Sequence, residues 1–402
     1  MSRTSARELI DSVIDRGTYR SWDTPPDYGD IGADYAATLE RAREKSGVDE
    51  AVLTGEGEVG GRRVAVICSE FSFLAGSIGA ATARRIIRGI ERATDEGLPL
   101  LLSPTSGGTR MQEGTPAFAM MVSITTAVAR HKDAHLPFLV YLRNPTTGGV
   151  MASWGSSGHF TFAEPGALLG FLGPRVVELT TGTGDGENDR SIRAVLARIA
   201  GRPVILVVQD RHQQPPLGPD PMGPGALRFA QRAIRLAESL QIPLVTVIDT
   251  AGAELTKEAE ENAMAGEIAR TLTALLDVRV PTVSMILGQG CGGGALAMLP
   301  ADRALAMHDA WLSPLPPEGA SAIIHRDTEH APEMMEAQGV AAEALLAAGV
   351  VDELIAEPEN QGDLVDRVLG AIAHALWTLE TAPERVGREQ RFAHYREFAL
   401  GK

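Results

Sequence analysis

The sequence predicts an α/β protein made of two tandem units, and three observations support this prediction. Short apolar runs bounded by proline or glycine predict strands that helices cover on both faces. Amphipathic segments between these runs predict helices. Three landmarks recur at a spacing of 144 residues: Leu98-Pro99 with Ile242-Pro243, Ser106–Gly108 with Thr250–Gly252, and Leu136-Pro137 with Val280-Pro281. The chain therefore contains a duplicated fold unit.

Both units have the same predicted order of elements. GRRVAVICSEF, which starts at Gly61, parallels GRPVILVVQDR, which starts at Gly201. Each half then continues as helix, strand, glycine turn, helix, strand, glycine turn and helix. In ATARRIIRGIERATDEG, which Gly97 ends, one helical stripe carries Ile86, Ile87 and Ile90. We expect an N-terminal domain over residues 1–190 and a C-terminal domain over residues 191–402.

Two stretches lack any apolar period. Residues 180–190, TTGTGDGENDR, are rich in Gly, Thr and acids, which predicts a linker or an exposed loop. Residues 213–225, QQPPLGPDPMGPG, interrupt the second half, and their length predicts a mobile functional loop or a disordered one.

Composition excludes several classes of protein. The formal net charge of -15 disfavours nucleic acid as a partner. No apolar run approaches the roughly 18 residues of a membrane span, and no signal-peptide core is present, so we expect a cytoplasmic protein. Cys68 and Cys291 are too few for a disulfide framework or a structural zinc site, and we expect two inert thiols and no metal.

The candidate chemistry lies where glycine pairs follow apolar strands. Gly148-Gly149 ends PTTGG, and Gly292–Gly294 lies in GQGCGGGALAM. A glycine turn that starts a helix aims free N–H groups at a ligand and favours an oxyanion. A single pair is equally compatible with a tight turn that binds nothing, but two pairs in equivalent places favour function.

GQGCGG also matches the dinucleotide-binding pattern G-x-G-x-x-G, with Asp309 about 20 residues further on. The pattern alone is weak, and the equivalent turn PTTGG lacks it. The strand before it also comes late in its unit instead of first.

Side chains suited to acid, base or nucleophilic catalysis are scattered. No HExxH, GxSxG or P-loop pattern occurs. His131 and His135 are compatible with a metal pair but are more typical of a solvated helix end, and residues 254–262 are typical of an exposed helix face. Glu113 and Glu164 are expected to accept hydrogen bonds that order loops. The pattern favours chemistry in which backbone N–H groups stabilise charge and a cofactor moves the proton.

Long blocks of the chain resemble one enzyme family. Phe71–Gly114 with SGGTRMQEG, PTTGGVMASW, and Phe162–Glu178 with AEPGALLGF are similar to the β-type carboxyltransferase subunit of bacterial acetyl-CoA carboxylase. IDTAGAELTKEAEE and Leu287–Asp327 resemble the α-type subunit, and Ala6–Asp23 resembles the helical segment that precedes such subunits. Together these blocks cover most of the chain.

The resemblance implies a crotonase-like fold, a spiral of ββα units, in each half. It implies transfer of a carboxyl group from carboxybiotin to the α-carbon of a short acyl-CoA, with acetyl-CoA giving malonyl-CoA for fatty acid biosynthesis. Acyl-CoA is expected on the N-terminal lobe and biotin on the C-terminal lobe, where lobes of two chains meet, so at least a homodimer is expected. Since no Met-Lys-Met site and no ATP-grasp-like region occur, the biotin carboxyl carrier protein and the biotin carboxylase are expected to be separate chains.

The same resemblance assigns roles to individual residues. Gly148 and Gly149 are expected to hold the thioester oxygen of the acyl-CoA. Gly294 and Ala295 are expected to hold the ureido oxygen of biotin, in a biotin site that also contains Gly292 and Gly293. The expected wall of the acyl-CoA pocket contains Gly107, Gly108 and Arg110. Independently of the resemblance, the partners expected for the CoA phosphates follow the GSIGA turn, because arginine pairs well with phosphate; they are Arg84, Arg85 and Arg88.

The chain departs from the family in three ways. Its two cysteines exclude the zinc ribbon of many β-type subunits, the N-terminal lobe is cut short after GPRVVELTTG, and Ala75 in FLAGS replaces a family glycine. Two other functions therefore stay open. One is a decarboxylase or transcarboxylase that uses the same two oxyanion sites. The other is a non-catalytic paralogue that acts as a scaffold.

Overall fold

A computed structural model describes residues 4–170, 191–327 and 329–400. The strands are β1 Arg20–Ser21, β2 Val52–Val59, β3 Arg62–Ser69, β4 Leu100–Ser103, β5 Phe138–Leu142, β6 Thr146–Thr147, β7 Phe160–Ala163, β8 Leu169–Gly170, β9 Ile192–Ile199, β10 Arg202–Gln209, β11 Leu244–Thr250, β12 Thr282–Cys291, β13 Arg303–Met307, β14 Trp311–Ser313 and β15 Glu353–Ile355.

The helices complete the α/β plan. They are α1 Ala6–Val13, α2 Ala33–Ser46, α3 Ala80–Asp95, α4 Gly114–Asp133, α5 Gly148–Val150, α6 Pro224–Leu240, α7 Lys257–Glu261, α8 Met264–Asp277, α9 Gly292–Leu296, α10 Pro317–Ile324, α11 Ala331–Ala337, α12 Ala342–Ala347, α13 Leu364–Thr381 and α14 Arg388–Leu400. Short 3₁₀ turns lie between several of them, and a wide π-type turn, Met151–Gly155, extends α5.

Each half of the chain builds one sheet. In the N-terminal lobe the strand order is β1-β2-β3-β4-β5-β7, and in the C-terminal lobe it is β15-β13-β12-β11-β10-β9, with β14 beside β12. In both lobes an antiparallel hairpin comes first, β2-β3 or β9-β10, and the strands after it pair in parallel. Crossover helices α3 and α4, or α6 and α8, connect the parallel strands and bury their apolar faces. The predicted α/β class with two tandem units is confirmed. The expected boundary at 190/191 adjoins residues 171–190, which lie outside the described part.

The backbone confirms the internal repeat in detail. Gly108 and Gly252, which are 144 residues apart, have φ values of +113° and +124°. Each N–H donates 3.0 Å to a hydroxyl two residues earlier, on Ser106 or Thr250. The parallel bridge Ile78–Thr109 also recurs 144 residues on, as Met222–Ala253. The two lobes therefore present the same turns in the same places.

Helix α3 shows how the sequence forms these elements. The predicted stripe is buried, with Ile86 and Ile90 at 0% exposure and Ile87 at 1%. Gly97 adopts φ +67° directly after the helix, as a helix-ending glycine does. A Cβ on Gly89 would lie only 3.2 Å from side-chain atoms of Ile67 and Thr54, so α3 packs closely on the first hairpin.

The lobes differ at their last strand. In the C-terminal lobe β15 pairs with the outer edge of β13, at Leu305–Glu353 through Met307–Ile355. In the N-terminal lobe β7 is the edge strand of the sheet, and no described strand covers it. Phe160 and Phe162 on β7 are consequently 64% and 60% exposed. This asymmetry matches the shortened tail that the sequence indicates for the N-terminal lobe.

Direct contacts hold the two lobes together. Thr115 at the start of α4 donates its hydroxyl to the Leu312 carbonyl at 2.7 Å and its N–H to the Gln338 carbonyl at 3.2 Å. A Cβ on Gly114 would lie 2.2 Å from that Gln338 oxygen, so only glycine fits there. The last helix, α14, returns to the N-terminal lobe, where Arg396 pairs with Glu91 on α3.

The structure also tests the two irregular stretches. Residues 180–190, the predicted linker, lie outside the described residues. Residues 213–225 are anchored to the fold instead of forming an independent loop. Gln214 is buried and accepts a 2.6 Å hydrogen bond from the Thr250 hydroxyl, and Met222 is fully buried. The prediction missed this because proline and glycine content does not show that single side chains point inward. In the described part of the chain, no helix is long and apolar enough to span a bilayer.

Candidate active site

The N-terminal glycine turn joins β6 to α5. Gly148 has φ +66°, and a Cβ there would lie 2.8 Å from the Cα of Gly108. The PTTGG turn therefore packs directly on the SGG turn that follows β4. Thr147 ties the two turns together, since both its N–H and its hydroxyl donate to the Ser106 carbonyl, at 2.9 and 3.1 Å. Glycine is required at position 148 both for its backbone conformation and for this close approach.

The C-terminal glycine turn joins β12 to α9 in the same way. Gly292 lies 144 residues after Gly148 and has φ +61°. The TAG turn after β11 lies beside it, because a Cβ on Gly252 would come within 3.7 Å of the Cys291 sulfur. All residues from Gly292 to Leu296 are buried. The structure thus brings together in each lobe the two turns that the repeat predicts.

The first N–H groups of each short helix have no acceptor inside that helix. They belong to Gly148, Gly149 and Val150 in α5, and to Gly292, Gly293 and Gly294 in α9. Among the described residues none of them donates to the carbonyl of a turn or loop. Each turn therefore has donors for an oxyanion. Ala295 is the fourth residue of α9, where helical hydrogen bonding normally starts, so its expected role as a donor stays a prediction.

The SGGTR segment has two parts, a glycine turn at Gly107 and Gly108 and a buried side chain at Arg110. Gly107 is exposed, whereas Gly108 is buried against Gly148. Arg110 is fully buried, and its guanidinium points into the protein instead of towards a pocket. It donates to Glu50 at 2.5 and 3.2 Å and to the Ser77 carbonyl at 3.0 Å. Any contribution of Arg110 to acyl-CoA binding therefore acts through the shape of the loop.

Glu50 and Arg110 form a buried ion pair that sequence reasoning missed. Burial opposes ionisation of Glu50, but the Arg110 guanidinium outweighs it and holds the pKa of this carboxyl below its usual range. Tyr28 and Thr82 add hydrogen bonds to the same carboxylate, at 2.8 and 3.0 Å. One signal was available, since Glu50 lies two residues before the buried strand β2, where an acidic residue needs a partner.

The three arginines of α3 do not share one environment. Arg85 is buried, and its guanidinium is occupied by Asp49 at 2.8 and 2.9 Å and by the Thr24 and Val52 carbonyls. Arg84 is partly exposed and donates to the Asp27 carbonyl, and Arg88 is exposed. These side chains line a cavity of about 550 Å³ together with Arg92, Trp22 and the last residues of α14. Of the predicted phosphate ligands, Arg85 is occupied by groups of the protein itself, whereas the contact of Arg84 and Arg88 with phosphate stays a prediction.

A second cavity, of about 770 Å³, opens beside the SGG turn. Ala75 lines it, and the Ala75 carbonyl accepts the Gly107 N–H at 2.8 Å. Its cations are Arg41 and Lys45 from α2. Ala75 has φ +56°, which explains why a glycine suits this position and why alanine there is strained.

The remaining polar candidates have structural roles. Glu113 accepts from the Ala80 N–H and the Tyr35 hydroxyl, both at 2.5 Å, and Glu164 accepts from the Asn144 N–H at 2.9 Å, so both order loops as predicted. The prediction of a solvated helix end is wrong for His131, which is buried and contacts the Thr94 hydroxyl at 2.9 Å. His135 is exposed. No group of three or more metal-binding side chains occurs in the described ranges.

The two thiols and Asp309 also have defined surroundings. Burial raises the pKa of Cys68 to about 11 and raises that of Cys291 even further, so both thiols are protonated at neutral pH, as expected of inert cysteines. Asp309 is exposed and contacts His308 at 3.0 Å. It sits on the surface, and nothing in its position supports a dinucleotide site.

Comparison with known proteins agrees with this geometry. The family profile described as Acetyl co-enzyme A carboxylase carboxyltransferase-like matches residues 175–399, and the one described as Carboxyl transferase domain matches residues 3–194. The chain is 42% identical to the "Probable biotin-dependent acyl-coenzyme A carboxylase beta3 subunit" of Mycobacterium tuberculosis (strain ATCC 25618 / H37Rv), over 100% of this chain and 99% of that protein. That alignment is 498 residues long, whereas this chain has 402, so the mycobacterial protein contains segments that this chain lacks.

Two further similarities have the same character. The chain is 29% identical to the "Acetyl-coenzyme A carboxylase carboxyl transferase subunits beta/alpha" of Parafrankia sp. (strain EAN1pec), over 99% of this chain and 86% of that protein. Among solved structures it is similar to the transcarboxylase 12S crystal structure, at 20% identity and a TM-score of 0.41, over 94% of this chain and 90% of that chain. The family profiles and the mycobacterial relative together show that this chain belongs to the carboxyltransferase family of biotin-dependent acyl-coenzyme A carboxylases.

Proposed function

We propose that this carboxyltransferase transfers a carboxyl group from carboxybiotin to the α-carbon of a short acyl-CoA, with acetyl-CoA as the first candidate and malonyl-CoA as the product. The observation that carries the proposal is the pair of equivalent glycine turns, one in each lobe, whose first N–H groups are free of helical partners. One such turn suits the oxygen of a thioester, and the other suits the ureido oxygen of biotin.

In the N-terminal lobe, Gly148 and Gly149 act on the thioester. Removal of the α-proton places negative charge on the thioester oxygen, and the two N–H groups hold that charge. A preorganised donor of this kind is worth about 2.7–4 kcal/mol of transition-state stabilisation. Contact with Gly108 and the Ser106 carbonyl fixes the turn before substrate arrives, so little reorganisation accompanies the reaction.

In the C-terminal lobe, residues Gly292–Gly294 receive the ureido oxygen, and Ala295 lies beside them. The bare backbone of three glycines leaves room for a planar ring to approach these N–H groups. Carboxybiotin supplies the CO2 and, after its release, the ring nitrogen that accepts the α-proton. The protein then needs no side-chain base, which is consistent with a sequence in which side chains suited to acid or base catalysis are scattered.

The CoA phosphates are assigned to the arginine-lined cavity along α3. Ile78, just before this helix, donates its N–H to the Gly108 carbonyl at 2.9 Å, so α3 starts beside the SGG turn. With a rise of about 1.5 Å per residue, Arg84 and Arg88 lie one to two turns further along the helix. Their charges are thus displaced from the reaction centre, as the charges of a nucleotide tail must be.

The proposed function also includes an assembly of several chains. The biotin carrier and the biotin carboxylase are partner chains, and the carboxyltransferase itself is at least a homodimer in which lobes of two chains face each other. Exposed Phe160 and Phe162 on β7 leave an apolar sheet edge in the N-terminal lobe.

Carboxyl transfer from malonyl-CoA or methylmalonyl-CoA to biocytin tests the proposal directly. The purified protein is incubated with each acyl-CoA and biocytin, and the loss of the carboxyl group is followed with acetyl-CoA and propionyl-CoA as standards. Transfer from malonyl-CoA supports acetyl-CoA as the natural acceptor, and transfer from methylmalonyl-CoA alone corrects the acyl chain. A net decarboxylation of the acyl-CoA that the partner carboxylase cannot reverse would instead indicate that this protein is a decarboxylase. Silence with every acyl-CoA, from a folded protein, overturns the proposal in favour of a scaffold role.

A further inference from the structure

The two glycine turns begin with similar backbone conformations, but different side chains pack against them. At the end of the first hairpin, Ser69 on β3 is equivalent to Gln209 on β10, because each is the last residue of its strand and pairs with the first residue of the strand before. The spacing of 144 residues makes Ile78 equivalent to Met222 and Val150 equivalent to Gly294. These three differences lie in one place.

Gln209 reaches the C-terminal glycine turn directly. Its side chain is 1% exposed, and its amide nitrogen donates to the Gly294 carbonyl at 2.8 Å. The same nitrogen lies 3.5 Å from the Met222 sulfur. The other amide atom, Oε1, has no hydrogen-bond partner among the described residues. A buried amide that leaves one atom unsatisfied is costly, so its remaining contact is expected to matter.

Met222 fills the space that a side chain at position 294 would need. A Cβ on Gly294 would lie 2.0 Å from the Met222 methyl carbon and 3.4 Å from the Ala253 nitrogen. In the N-terminal lobe the equivalent residue, Val150, carries its own side chain. The buried side chains of Gln209 and Met222 therefore pack against the C-terminal turn, and residue 294 itself contributes no side chain to it.

We propose that Gln209, with Met222, is a positioning residue that fixes the C-terminal glycine turn so that it accepts the ureido oxygen of biotin. This inference rests on the proposed function and assigns Gln209 no contact with the reacting atoms. Three consecutive glycines have more backbone freedom than any other sequence, and free N–H groups are useful only when their direction is fixed in advance. The hydrogen bond to the Gly294 carbonyl fixes the peptide plane that joins Gly294 to Ala295, at the end of the glycine run, and so limits the conformations open to the turn. The N-terminal turn is restricted by its contact with Gly108 and by the hydrogen bonds from Thr147 to the Ser106 carbonyl, and it has no glutamine at the position equivalent to Gln209.

Gln209→Met tests the hydrogen bond, because methionine keeps the length of the side chain and removes the donor. The matched control is Ser69→Ala, which changes the equivalent residue of the other lobe, where the hydroxyl has no partner in the part of the chain that the structure describes. We expect Gln209→Met to raise the KM for biocytin or lower kcat by roughly ten- to a hundredfold, the range for partners that orient a reacting group. The KM for the acyl-CoA should change by less than about twofold, and Ser69→Ala should leave both constants unchanged.

Amide hydrogen exchange supplies a readout that does not depend on turnover. In the protein without substrates, Gln209→Met should speed exchange in the peptide that contains Gly292–Leu296, and exchange in the peptide that contains Gly148 should stay as in the wild type. A purely structural role would instead lower the melting temperature and speed exchange across both lobes.

The steric part of the inference has its own test. Because Met222 is fully buried, its terminal methyl group has little room to move away from a methyl group at position 294, so Gly294→Ala should lower activity. The double variant Met222→Ala with Gly294→Ala should recover part of that loss, since the close contact is removed. Equal biocytin KM, kcat and local exchange in Gln209→Met and wild type would overturn the inference and leave the proposed function intact. A wild-type protein that transfers no carboxyl group would overturn the proposed function, and the role of Gln209 towards biotin with it.

Discussion

Gly148 and Gly108 touch through their backbones, at a separation that leaves no room for a methyl group. A Cβ on residue 148 would lie 2.8 Å from the Cα of Gly108, closer than side-chain carbons normally approach a neighbour. The contact joins the turn proposed to hold the thioester oxygen to the turn proposed to wall the acyl-CoA pocket. Any displacement of one is transmitted to the other.

Gly148→Ala should therefore abolish acyl transfer. We expect kcat to fall by about a hundredfold or more, because the N–H groups move away from the thioester oxygen. The control is Gly61→Ala, which has a similar φ of +75° but no atom within 4 Å of the new methyl group. Both variants should lose about 1–2 kcal/mol of stability from backbone strain, Gly148→Ala should lose more because its methyl group clashes with Gly108, and only Gly148→Ala should lose activity. Steady-state kinetics and thermal unfolding of the two proteins decide the matter.

Ala75 gives a second prediction, because it is strained and supports the SGG turn. Its φ of +56° is costly for a residue with a Cβ, and its carbonyl accepts the Gly107 N–H. Ala75→Val should lose a further 1–2 kcal/mol or so, since a branched side chain tolerates this conformation poorly, and should raise the KM for acyl-CoA. Ala75→Gly should stay within about 1 kcal/mol of wild type, because relief of strain offsets the added freedom of the unfolded chain. Urea unfolding of both variants measures these changes in stability. A valine variant as stable as the wild type would contradict the strain argument.

The duplicated glycine landmarks were predictable because their cause is local. A turn that needs positive φ leaves a glycine in the sequence, and a repeat leaves it twice, as at Gly108 and Gly252. The contacts beneath the turns were not predictable, since Gln209 and Met222 reach Gly294 only through tertiary packing. Gln209 ends a strand and Met222 sits in a proline-rich stretch, and neither pattern shows which way the side chain points. Arg110 misled for the same reason, because its motif does not reveal that Glu50, sixty residues earlier, binds it.

Variants of Arg88 and Arg41 can show which of the two cavities binds the CoA phosphates, because each residue lines a different one. Arg88→Glu should raise the KM for acyl-CoA by about tenfold and weaken the dependence of KM on salt, because a cation that meets phosphate becomes an anion. Arg41→Glu changes the same charge in the cavity beside Ala75 and should leave the KM within about twofold of wild type. The opposite result would move the nucleotide tail to that cavity. Isothermal titration of CoA gives an independent check on both variants.

Glu50 and Arg110 make stability depend on pH in a defined direction. The pKa of Glu50 in the folded protein lies below its ordinary value of 4.5, so this carboxylate stabilises the fold above that pH, and the contribution is lost as the pH falls through the folded pKa. Glu50→Gln should lose about 3–5 kcal/mol at pH 7, because it leaves the Arg110 guanidinium buried without a counter-charge. The difference from wild type should shrink under acid conditions, where wild-type Glu50 is itself protonated. Urea unfolding at pH 7 and at successively lower pH measures this, with Glu40→Gln as the control, because the exposed Glu40–Arg43 pair should contribute less than about 1 kcal/mol at any pH. If the difference in unfolding free energy between Glu50→Gln and the wild type stays constant with pH, Glu50 acts through packing and not through its charge.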